Sequence, residues 1–269
     1  MSGYETIEVT RDGDVMVLTL NRPERLNAAP PQMFDEIRAA IADLGGARAL
    51  LIRSTGRAFC SGADLAGRGD APPAEPAPAP VDGGEMTFGA LTQHYNPTML
   101  ALADLAVPVV TAVRGPAAGI GCSLALCADF CVASETAYFL QAFVNIGLVP
   151  DGGSSWMLPR LVGRARANEM MMLGERIPAA KAAEWGLIHK MVADDALDAE
   201  ALALATRLAA GPTVALGLMR RGTARAAETS FAEAMETEAA NQRHARRTAD
   251  AMEGGRSFLE KRKPAFKGA

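Results

Sequence analysis

Two stretches of small residues follow apolar runs in this sequence, and both could hold backbone N–H groups against a ligand. Residues 57–65, RAFCSGADL, come shortly after the apolar run at 49–54. Residues 115–122, GPAAGIGC, come shortly after a second apolar run at 107–113. Each run predicts a buried strand, and small residues in the turn after it let the backbone approach a ligand closely. Two such turns can supply two main-chain donors to one developing oxyanion.

The order and composition of these stretches resemble the crotonase, or enoyl-CoA hydratase/isomerase, superfamily. The resemblance continues through 139–160, 174–192 and 258–262, so it covers nearly the whole chain. It implies an α/β fold, in which a crotonase-type spiral of β-β-α turns is followed by a helical C-terminal trimerisation region. On that basis residues 1–195 form the core with the CoA and active sites, and residues 196–269 form the helical region.

The resemblance also implies the reaction centre. Members of the superfamily polarise the carbonyl of an acyl-CoA thioester with two backbone N–H groups and so stabilise an enolate. Matching the motifs places these donors on Ala63 and Ile120, with Gly119 beside the second donor. Ile120 stands where many relatives have glycine, which donation from the main chain tolerates. The alternative is that the glycine-rich turns only allow a strand and a helix to pack tightly.

The acid–base positions differ from those of the hydratases in this superfamily. Those enzymes use two glutamates, and the corresponding residues here are Ser123 and Phe143, which we expect in the substrate pocket. Addition of water needs one group to activate the water and another to protonate the α carbon. Neither a serine nor a phenylalanine can replace these carboxylates, so the sequence argues against ordinary hydration.

Asp151, within residues 148–155 (LVPDGGSS), is a carboxylate at a position where it could act on the acyl group. In family members that isomerise dienoyl-CoA or epoxyphenylacetyl-CoA, an aspartate occupies this position. One carboxylate can move a proton between two carbons of an enolisable acyl-CoA, which favours an isomerase. The alternative is that Asp151 caps the helix that follows, because aspartate is a good N-cap residue.

The resemblance assigns CoA binding to several parts of the chain. Arg25 and Arg57 are expected at phosphates, whereas Phe258 and Lys261 are expected to reach the site of a neighbouring subunit. The main chain around the adenine would come from Ala28, Ala63, Asp64 and Leu65. His94 is a candidate pocket residue, although a lone histidine on a helix also serves in packing or lies at the surface. The basic residues have solvated surface charge as their alternative.

The composition restricts the class of protein. The 269 residues include 27 basic and 31 acidic side chains, a net charge of −4, which argues against a nucleic-acid partner. There is no N-terminal targeting pattern and no apolar run long enough to span a bilayer, so we expect a soluble cytoplasmic protein without a membrane partner. The four cysteines lack a C-x-x-C pair and have apolar neighbours, which predicts buried thiols and no metal site.

The periodicity of the chain predicts a hairpin around Asp12-Gly13 and a helix from about Pro31. Residues 66–84 are rich in alanine, proline and glycine and predict a mobile surface loop, either an acyl-chain lid or a disordered insert. A helix is predicted over 86–105. Beyond Gly163 we predict an almost wholly helical chain, with helices at about 164–173, 179–185, 197–210, 213–223, 231–246 and 249–262.

Together these features predict an enzyme that uses a coenzyme A thioester as substrate, has no permanently bound cofactor and assembles as a trimer or hexamer. An enoyl-CoA isomerase is the preferred activity, with an enoyl-CoA hydratase as the alternative. A non-catalytic acyl-CoA-binding relative is a further hypothesis. Ser123 could also be the nucleophile of a hydrolase elbow, but it lies well past the strand end where such a serine must sit.

Overall fold

The computed structural model describes residues 3–64 and 82–269, and the strands of these residues form two sheets. The larger sheet has six strands in the order β1-β2-β3-β4-β6-β9, and the smaller has three in the order β5-β7-β8. The strands are β1 Ile7–Asp12, β2 Val15–Leu20, β3 Ala49–Ser54, β4 Val109–Val113, β5 Pro116–Ala118, β6 Phe130–Ser134, β7 Tyr138–Leu140, β8 Ile177–Pro178 and β9 Lys190–Val192. The first two form the predicted hairpin, and the remaining neighbours in the larger sheet run parallel.

Helices connect and cover these strands. They are α1 Pro31–Ala42, α2 Gly83–Ala90, α3 Asn96–Ala103, α4 Ile120–Leu126, α5 Ser154–Asn168, α6 Ala179–Glu184, α7 Leu197–Ala209, α8 Thr213–Ala226, α9 Phe231–Ala245 and α10 Ala249–Leu259. Helix α1 begins at the predicted Pro31. A π-helical turn, Leu91–Tyr95, joins α2 to α3, so the helix predicted over 86–105 is present but contains an irregular turn.

Strand β2 shows why the larger sheet is covered on both faces, since all six of its residues are buried. Successive side chains of a strand point to opposite faces, so Met16 and Leu18 face one way while Val15 and Val17 face the other. The first pair belongs to an apolar cluster that includes the buried face of α1. The second pair belongs to a cluster with α7. A parallel sheet buried in this way requires strands that are apolar throughout.

The order strand, strand, helix recurs along the chain. Strands β4 and β5 are followed by α4, and β6 and β7 are followed by the 3-10 helix Ala142–Ile146. A single β-bridge between Cys60 and Ala117 places the segment after β3 beside β5 in the same manner. This repetition agrees with the expected β-β-α spiral.

Several element boundaries differ from the sequence prediction. The Asp82 carboxylate accepts the N–H of Gly84 and α2 begins at Gly83, so the end of the predicted loop 66–84 is helical. Residues 66–81 lie outside the described ranges. Strands β8 and β9 interrupt the region beyond Gly163 that was predicted to be almost wholly helical. Gly163 has the non-helical angles φ 75° and ψ 162°, so a kink within α5 separates its first part from the helix that we predicted from 164.

The thiols of the four cysteines are free. Cys60, Cys122 and Cys131 are buried and Cys127 is partly buried, as the apolar neighbours predicted. Loss of hydration raises the pKa of Cys60 to about 11 and that of Cys122 to about 12. These thiols therefore stay protonated and act as small apolar side chains.

The C-terminal helices differ in how they are packed. Helix α7 lies against the larger sheet, whereas α8 and α9 pack chiefly against each other. In the described part of the chain, no single helix is long and apolar enough to cross a membrane. Residues Asp194–Ala209 and Thr213–Ala226 satisfy that criterion only as a pair, with a bend of 106° between them.

Candidate active site

The two small-residue turns identified in the sequence lie side by side. The Cys60 N–H donates to the Pro116 carbonyl at 3.0 Å, and the Ala118 N–H donates to the Cys60 carbonyl at 2.9 Å. Beyond this short ladder, a Cβ added to Gly119 would lie 3.8 Å from the Gly62 Cα. The segments that begin at Gly62 and at Gly119 are therefore in contact with each other.

The N–H of Ala63 points away from the segment of Ala29, with which Ala63 forms a β-bridge. The Ala29 N–H donates to the Gly62 carbonyl at 2.8 Å, and the Asp64 N–H donates to the Ala29 carbonyl at 3.0 Å. In a parallel pair, these two bonds leave the N–H of the residue between them on the opposite side. Among the described residues, none accepts a hydrogen bond from the Ala63 N–H.

Ile120 is the first residue of α4, where a backbone N–H has no acceptor within its own helix. The preceding Gly119 donates its N–H to the Leu140 carbonyl at 2.9 Å and adopts φ 53° and ψ −128°, a conformation that a side chain would strain. The chain thus turns sharply at Gly119, directly before Ile120. Ala63 and Ile120 stay the two candidate donors to one ligand oxygen.

Asp151 belongs to a loop that rests directly on α4. A Cβ added to Gly152 would overlap the Ile120 Cδ1 and would lie 2.8 Å from the Ser123 Cβ. The Asp151 carbonyl accepts hydrogen bonds from the Ser123 hydroxyl at 3.0 Å and from the Ser154 N–H at 3.1 Å. The loop is therefore attached to the helix whose first residue is the second candidate donor.

Asp151 is partly buried, and one oxygen of its carboxyl group is enclosed. Its Oδ1 atom is enclosed and has no hydrogen-bond partner among the residues that the structure describes. Burial raises the pKa of Asp151 to about 6, because desolvation disfavours the charged form. A carboxyl group in this state can exchange a proton near neutral pH.

The interpretation of Asp151 as a helix cap is wrong. Helix α5 begins at Ser154, and its N-cap residue is Gly153, which makes no side-chain cap hydrogen bond. Asp151 lies before that position, and its contacts with the helix start are made by its main chain. An uncompensated carboxylate at this place has no structural explanation in the described contacts.

Ser123 and Phe143 occupy the positions of the two hydratase glutamates and are both buried. We expected Ser123 to line the substrate pocket. It has no exposed surface, so it is an internal residue of α4 and does not line an open pocket. This burial also argues against a hydrolase elbow, where the serine must be accessible. The Phe143 ring closes over the second turn, since its Cζ is 3.7 Å from a Cβ added to Gly119.

His94 shares a surface depression of about 530 Å³ with Ala63 and Asp64. Its Nδ1 atom lies 2.6 Å from the Asp35 Oδ2 on α1, which fixes the orientation of the ring. The lining residues also include Pro30, Pro31, Glu85, Met86, Gly89, Ala90, Gln93 and Tyr95. The structure thus brings His94 to the same space as the first candidate donor.

Arg25 and Arg57 lie on two exposed turns that a buried asparagine joins. The Asn27 amide donates to the Thr55 carbonyl at 2.9 Å and to the Ala58 carbonyl at 2.8 Å. Sequence reasoning missed Asn27. Its signal was an asparagine in the Arg-Leu-Asn-Ala turn, because asparagine tolerates the left-handed φ of 53° found there. Asn27 also precedes Ala28, so its two hydrogen bonds join the segments that carry three of the predicted CoA-binding residues, Arg25, Ala28 and Arg57.

Asp64 differs from the expectation that its main chain is open to adenine. Its N–H already donates to Ala29, and its carboxylate lies 2.8 Å from the Arg22 Nη1. Both of these groups are therefore engaged within the chain. Its neighbour Leu65 lies outside the described residues, so its predicted contact is not placed.

Phe258 and Lys261 do not line the depression that contains Ala63. Phe258, near the end of α10, is 83% exposed, and Lys261 follows it with a φ of 54°. Within one chain these residues face solvent, which is the arrangement that a role in a neighbouring subunit requires.

Comparison with known proteins identifies the class. A sequence model of the enoyl-CoA hydratase/isomerase family matches residues 10–269. A 1,2-epoxyphenylacetyl-CoA isomerase from Escherichia coli K12 is 41% identical over 257 residues, which cover 94% of this chain and 95% of the relative. A "probable enoyl-CoA hydratase" from Rhodobacter capsulatus is 39% identical over 266 residues, with 98% and 99% covered. The crystal structure of an enoyl-CoA hydratase subunit from Geobacillus kaustophilus superimposes with a TM-score of 0.89, at 33% identity and with both chains covered to 100%.

The fold and these similarities define an acyl-CoA enzyme with the crotonase fold, which confirms the predicted α/β architecture. The chain belongs to the enoyl-CoA hydratase/isomerase family. Its relatives bear the names of both isomerases and hydratases, so the reaction must be argued from the residues around the two turns.

Proposed function

We propose that this protein is an enoyl-CoA isomerase that uses Asp151 to transfer a proton between two carbons of its substrate. The observation on which this proposal rests is the enclosed Oδ1 atom of Asp151. It has no hydrogen-bond partner among the described residues, and its loop contacts Ile120. The substrate is an acyl-CoA thioester, and the proposal needs no resident cofactor. The relative named as a 1,2-epoxyphenylacetyl-CoA isomerase is consistent with this choice.

In the proposed reaction, the thioester oxygen accepts hydrogen bonds from the Ala63 and Ile120 N–H groups. The Asp151 carboxylate removes a proton from the α carbon of a 3-enoyl-CoA, and the electrons of that C–H bond form a dienolate. The two N–H groups stabilise its negative charge. The Asp151 carboxyl then returns the proton to the γ carbon, so the double bond moves from β,γ to α,β and the enzyme is regenerated.

Hydration is the second candidate, because a relative carries that name. It would require a base for water and an acid for the α carbon. The positions of the hydratase glutamates hold Ser123, whose hydroxyl is already bonded inside the protein, and Phe143, which cannot transfer a proton. One carboxylate is sufficient for the isomerase reaction, whereas hydration would lack one of its two groups.

The proposal is tested by comparing the wild-type protein with Asp151→Asn on a 3-enoyl-CoA and on a 2-enoyl-CoA. We expect the wild type to shift the double bond and to exchange the α proton in deuterium oxide. Asp151→Asn should lower both rates by roughly 10²- to 10⁴-fold, because it removes proton transfer and retains the shape of the side chain. Its affinity for coenzyme A should be unchanged. The exposed Asp104, at the end of α3, provides the control variant Asp104→Asn, which should behave as wild type.

Other outcomes would contradict the proposal in distinct ways. Wild-type turnover by Asp151→Asn would show that another group moves the proton. Hydration of the 2-enoyl-CoA without isomerisation would identify a hydratase. Tight binding of acyl-CoA with neither turnover nor exchange would identify a non-catalytic binding protein.

A further inference from the structure

Two buried hydroxyl groups lie directly behind the Asp151 loop. The Ser123 Oγ is 2.7 Å from the Ser154 Oγ and 3.0 Å from the Asp151 carbonyl oxygen. Ser123 is 0% exposed and Ser154 is 1% exposed. The proposed reaction does not use either hydroxyl.

The hydrogen-bond inventory of this group gives it a direction. The carbonyl oxygens of Asp151, at 3.0 Å, and of Gly119, at 3.5 Å, can only accept, and the Ser123 hydroxyl donates its one proton to the nearer one, that of Asp151. The Ser123 oxygen is then the acceptor for the Ser154 hydroxyl. The resulting chain runs from Ser154 through Ser123 to the main chain of Asp151, and the Ser154 N–H adds a second bond to the same carbonyl. The backbone of the loop is therefore held from both α4 and α5.

The loop needs such an anchor because its own conformation is weakly determined. Gly152 and Gly153 both have positive φ values, 60° and 84°, and glycine adopts many other conformations at little cost. Ser123 lies one helical turn after Ile120, so the two residues share a face of α4. Gly152 contacts both of them. The same face of α4 thus carries the candidate oxyanion donor and the anchor of the candidate base.

We propose that Ser123, supported by Ser154, is a positioning residue that fixes the Asp151 carboxylate relative to the Ile120 N–H. In this view the residue at one hydratase-glutamate position has become a support for the proton-transferring group on another loop. The inference rests on the proposed role of Asp151. Small errors in the placement of a reacting group are costly, since a displacement of about 1 Å can reduce a rate by about 10²-fold.

A double-mutant cycle tests this role. Ser123→Ala should lower kcat for isomerisation by about 10- to 100-fold with little change in KM, because the substrate contacts remain while the base moves. In the Asp151→Asn protein the same substitution should cause no further loss in the residual exchange rate, because there is no base left to position. Ser154→Ala should cause a smaller loss, and Ser123→Cys, which retains a weak donor of similar shape, should recover part of the rate.

The matched control is Ser134→Ala. Ser134 is also a fully buried serine, and its hydroxyl lies 2.6 Å from the Thr136 Oγ1 at the end of β6. Its replacement should lower the melting temperature and leave kcat and its pH dependence unchanged. If Ser123→Ala does not fold, the loss of kcat with and without the Asp151 carboxylate can be compared in the Ser123→Cys and Ser154→Ala proteins instead.

The possible results separate the two proposals. A Ser123→Ala enzyme with kcat within about twofold of wild type would overturn the positioning role, as would an equal fractional loss in the presence and absence of the Asp151 carboxylate. If Asp151→Asn itself is fully active, the proposed function fails whatever Ser123 does. If Asp151→Asn is inactive and Ser123→Ala is not impaired, only the inference about Ser123 fails.

Discussion

Asp151 lies in an environment that differs from that of an ordinary surface carboxylate. Folding removes part of its water and provides no hydrogen bond to Oδ1 from the described residues. Such a group is a cost to the folded protein when it is charged. The same cost makes it a better proton acceptor at the pH of the cell than an exposed aspartate.

The free energy of unfolding should depend on pH because the charged form of Asp151 destabilises the folded state. Burial raises the pKa of Asp151 to about 6, against about 4 in an unfolded chain, so the folded state holds the proton more tightly. The contribution of Asp151 is most favourable below pH 4 and is lost as the pH rises through 6. Asp151→Asn cannot ionise and should therefore be more stable than wild type at pH 8, by at most about 3 kcal/mol.

Urea denaturation of both proteins at pH 4 and pH 8 measures this difference. The two free energies of unfolding should converge at the lower pH. If the difference in unfolding free energy between the two proteins is the same at pH 4 and pH 8, folding does not perturb the ionisation of Asp151.

At the residue scale, the sequence indicated which residues belong to the candidate site better than it indicated their burial and their hydrogen-bond partners. Ala63, Ile120 and Asp151 were found by matching short motifs, and the structure brings their segments together. The burial of Ser123 and the contacts of Asn27 were missed. Both depend on partners far along the chain, Ser154 for the first and Thr55 for the second, and no local pattern encodes such pairs.

At the scale of elements, two of the three glycines in the loop between the 3-10 helix Ala142–Ile146 and α5 lie in different surroundings. Gly147 has a φ of 73° with open space where a Cβ would lie, whereas Gly152 has a φ of 60° and is packed against Ile120 and Ser123. Both positions favour glycine for conformational reasons. Only Gly152 also leaves room for a neighbouring helix.

Alanine substitutions should separate these two effects. Gly147→Ala should cost about 1 kcal/mol of unfolding free energy, from backbone strain alone. Gly152→Ala should cost about 1–3 kcal/mol more, because the added methyl group overpacks against α4. It should also reduce isomerase activity by displacing the loop. Equal losses of stability in the two variants, measured by urea denaturation, would show that the loop moves away from α4 without difficulty.

The hairpin and α1 were predictable because periodic apolar residues mark them along the sequence itself. Strands β8 and β9 were missed because they have only two and three residues, too few to show an alternating pattern. The start of α2 was missed because it depends on the Asp82 cap, which lies inside a stretch without any hydrophobic period.

At the scale of the whole molecule, several large apolar side chains of the C-terminal helices are exposed. Phe231, Phe258 and Leu259 are each more than 80% exposed. Phe258 and Leu259 are adjacent in the chain, and contiguous exposed apolar surface marks sites of protein–protein contact. We propose that identical subunits cover them in a closed oligomer, where Phe258 and Lys261 would complete the CoA site of a neighbour.

Phe258→Asp should weaken both assembly and ligand binding if this proposal is correct. We expect a loss of oligomer in sedimentation velocity and at least a 10-fold increase in the Kd for coenzyme A, equivalent to about 1.4 kcal/mol. The conservative variant Phe258→Leu should retain most of both properties. A Phe258→Asp protein that assembles and binds coenzyme A as wild type does would contradict the shared site.

The order of the strands could not be derived from the local pattern, since β4 pairs with β6 and not with β5, which follows it directly. The family resemblance implied a spiral of β-β-α turns, because it rests on motifs distributed over nearly the whole chain, but it gave no strand order. Packing of α7 into the sheet shows that a division of the chain at residue 195 does not separate two independent apolar cores.

Two groups of Ile120 bear on the proposed site: a main-chain N–H, which every amino acid except proline has, and a side chain in contact with Gly152. Evolution can therefore change the side chain at 120 without removing the proposed donor, but it must respect the neighbouring loop. Among related sequences that keep glycine at 152, the volume of the residue at 120 should be limited by the loop that it contacts. A substitution that alters the aspartate loop would then be inherited together with one in α4, although neither side chain takes part in bond making.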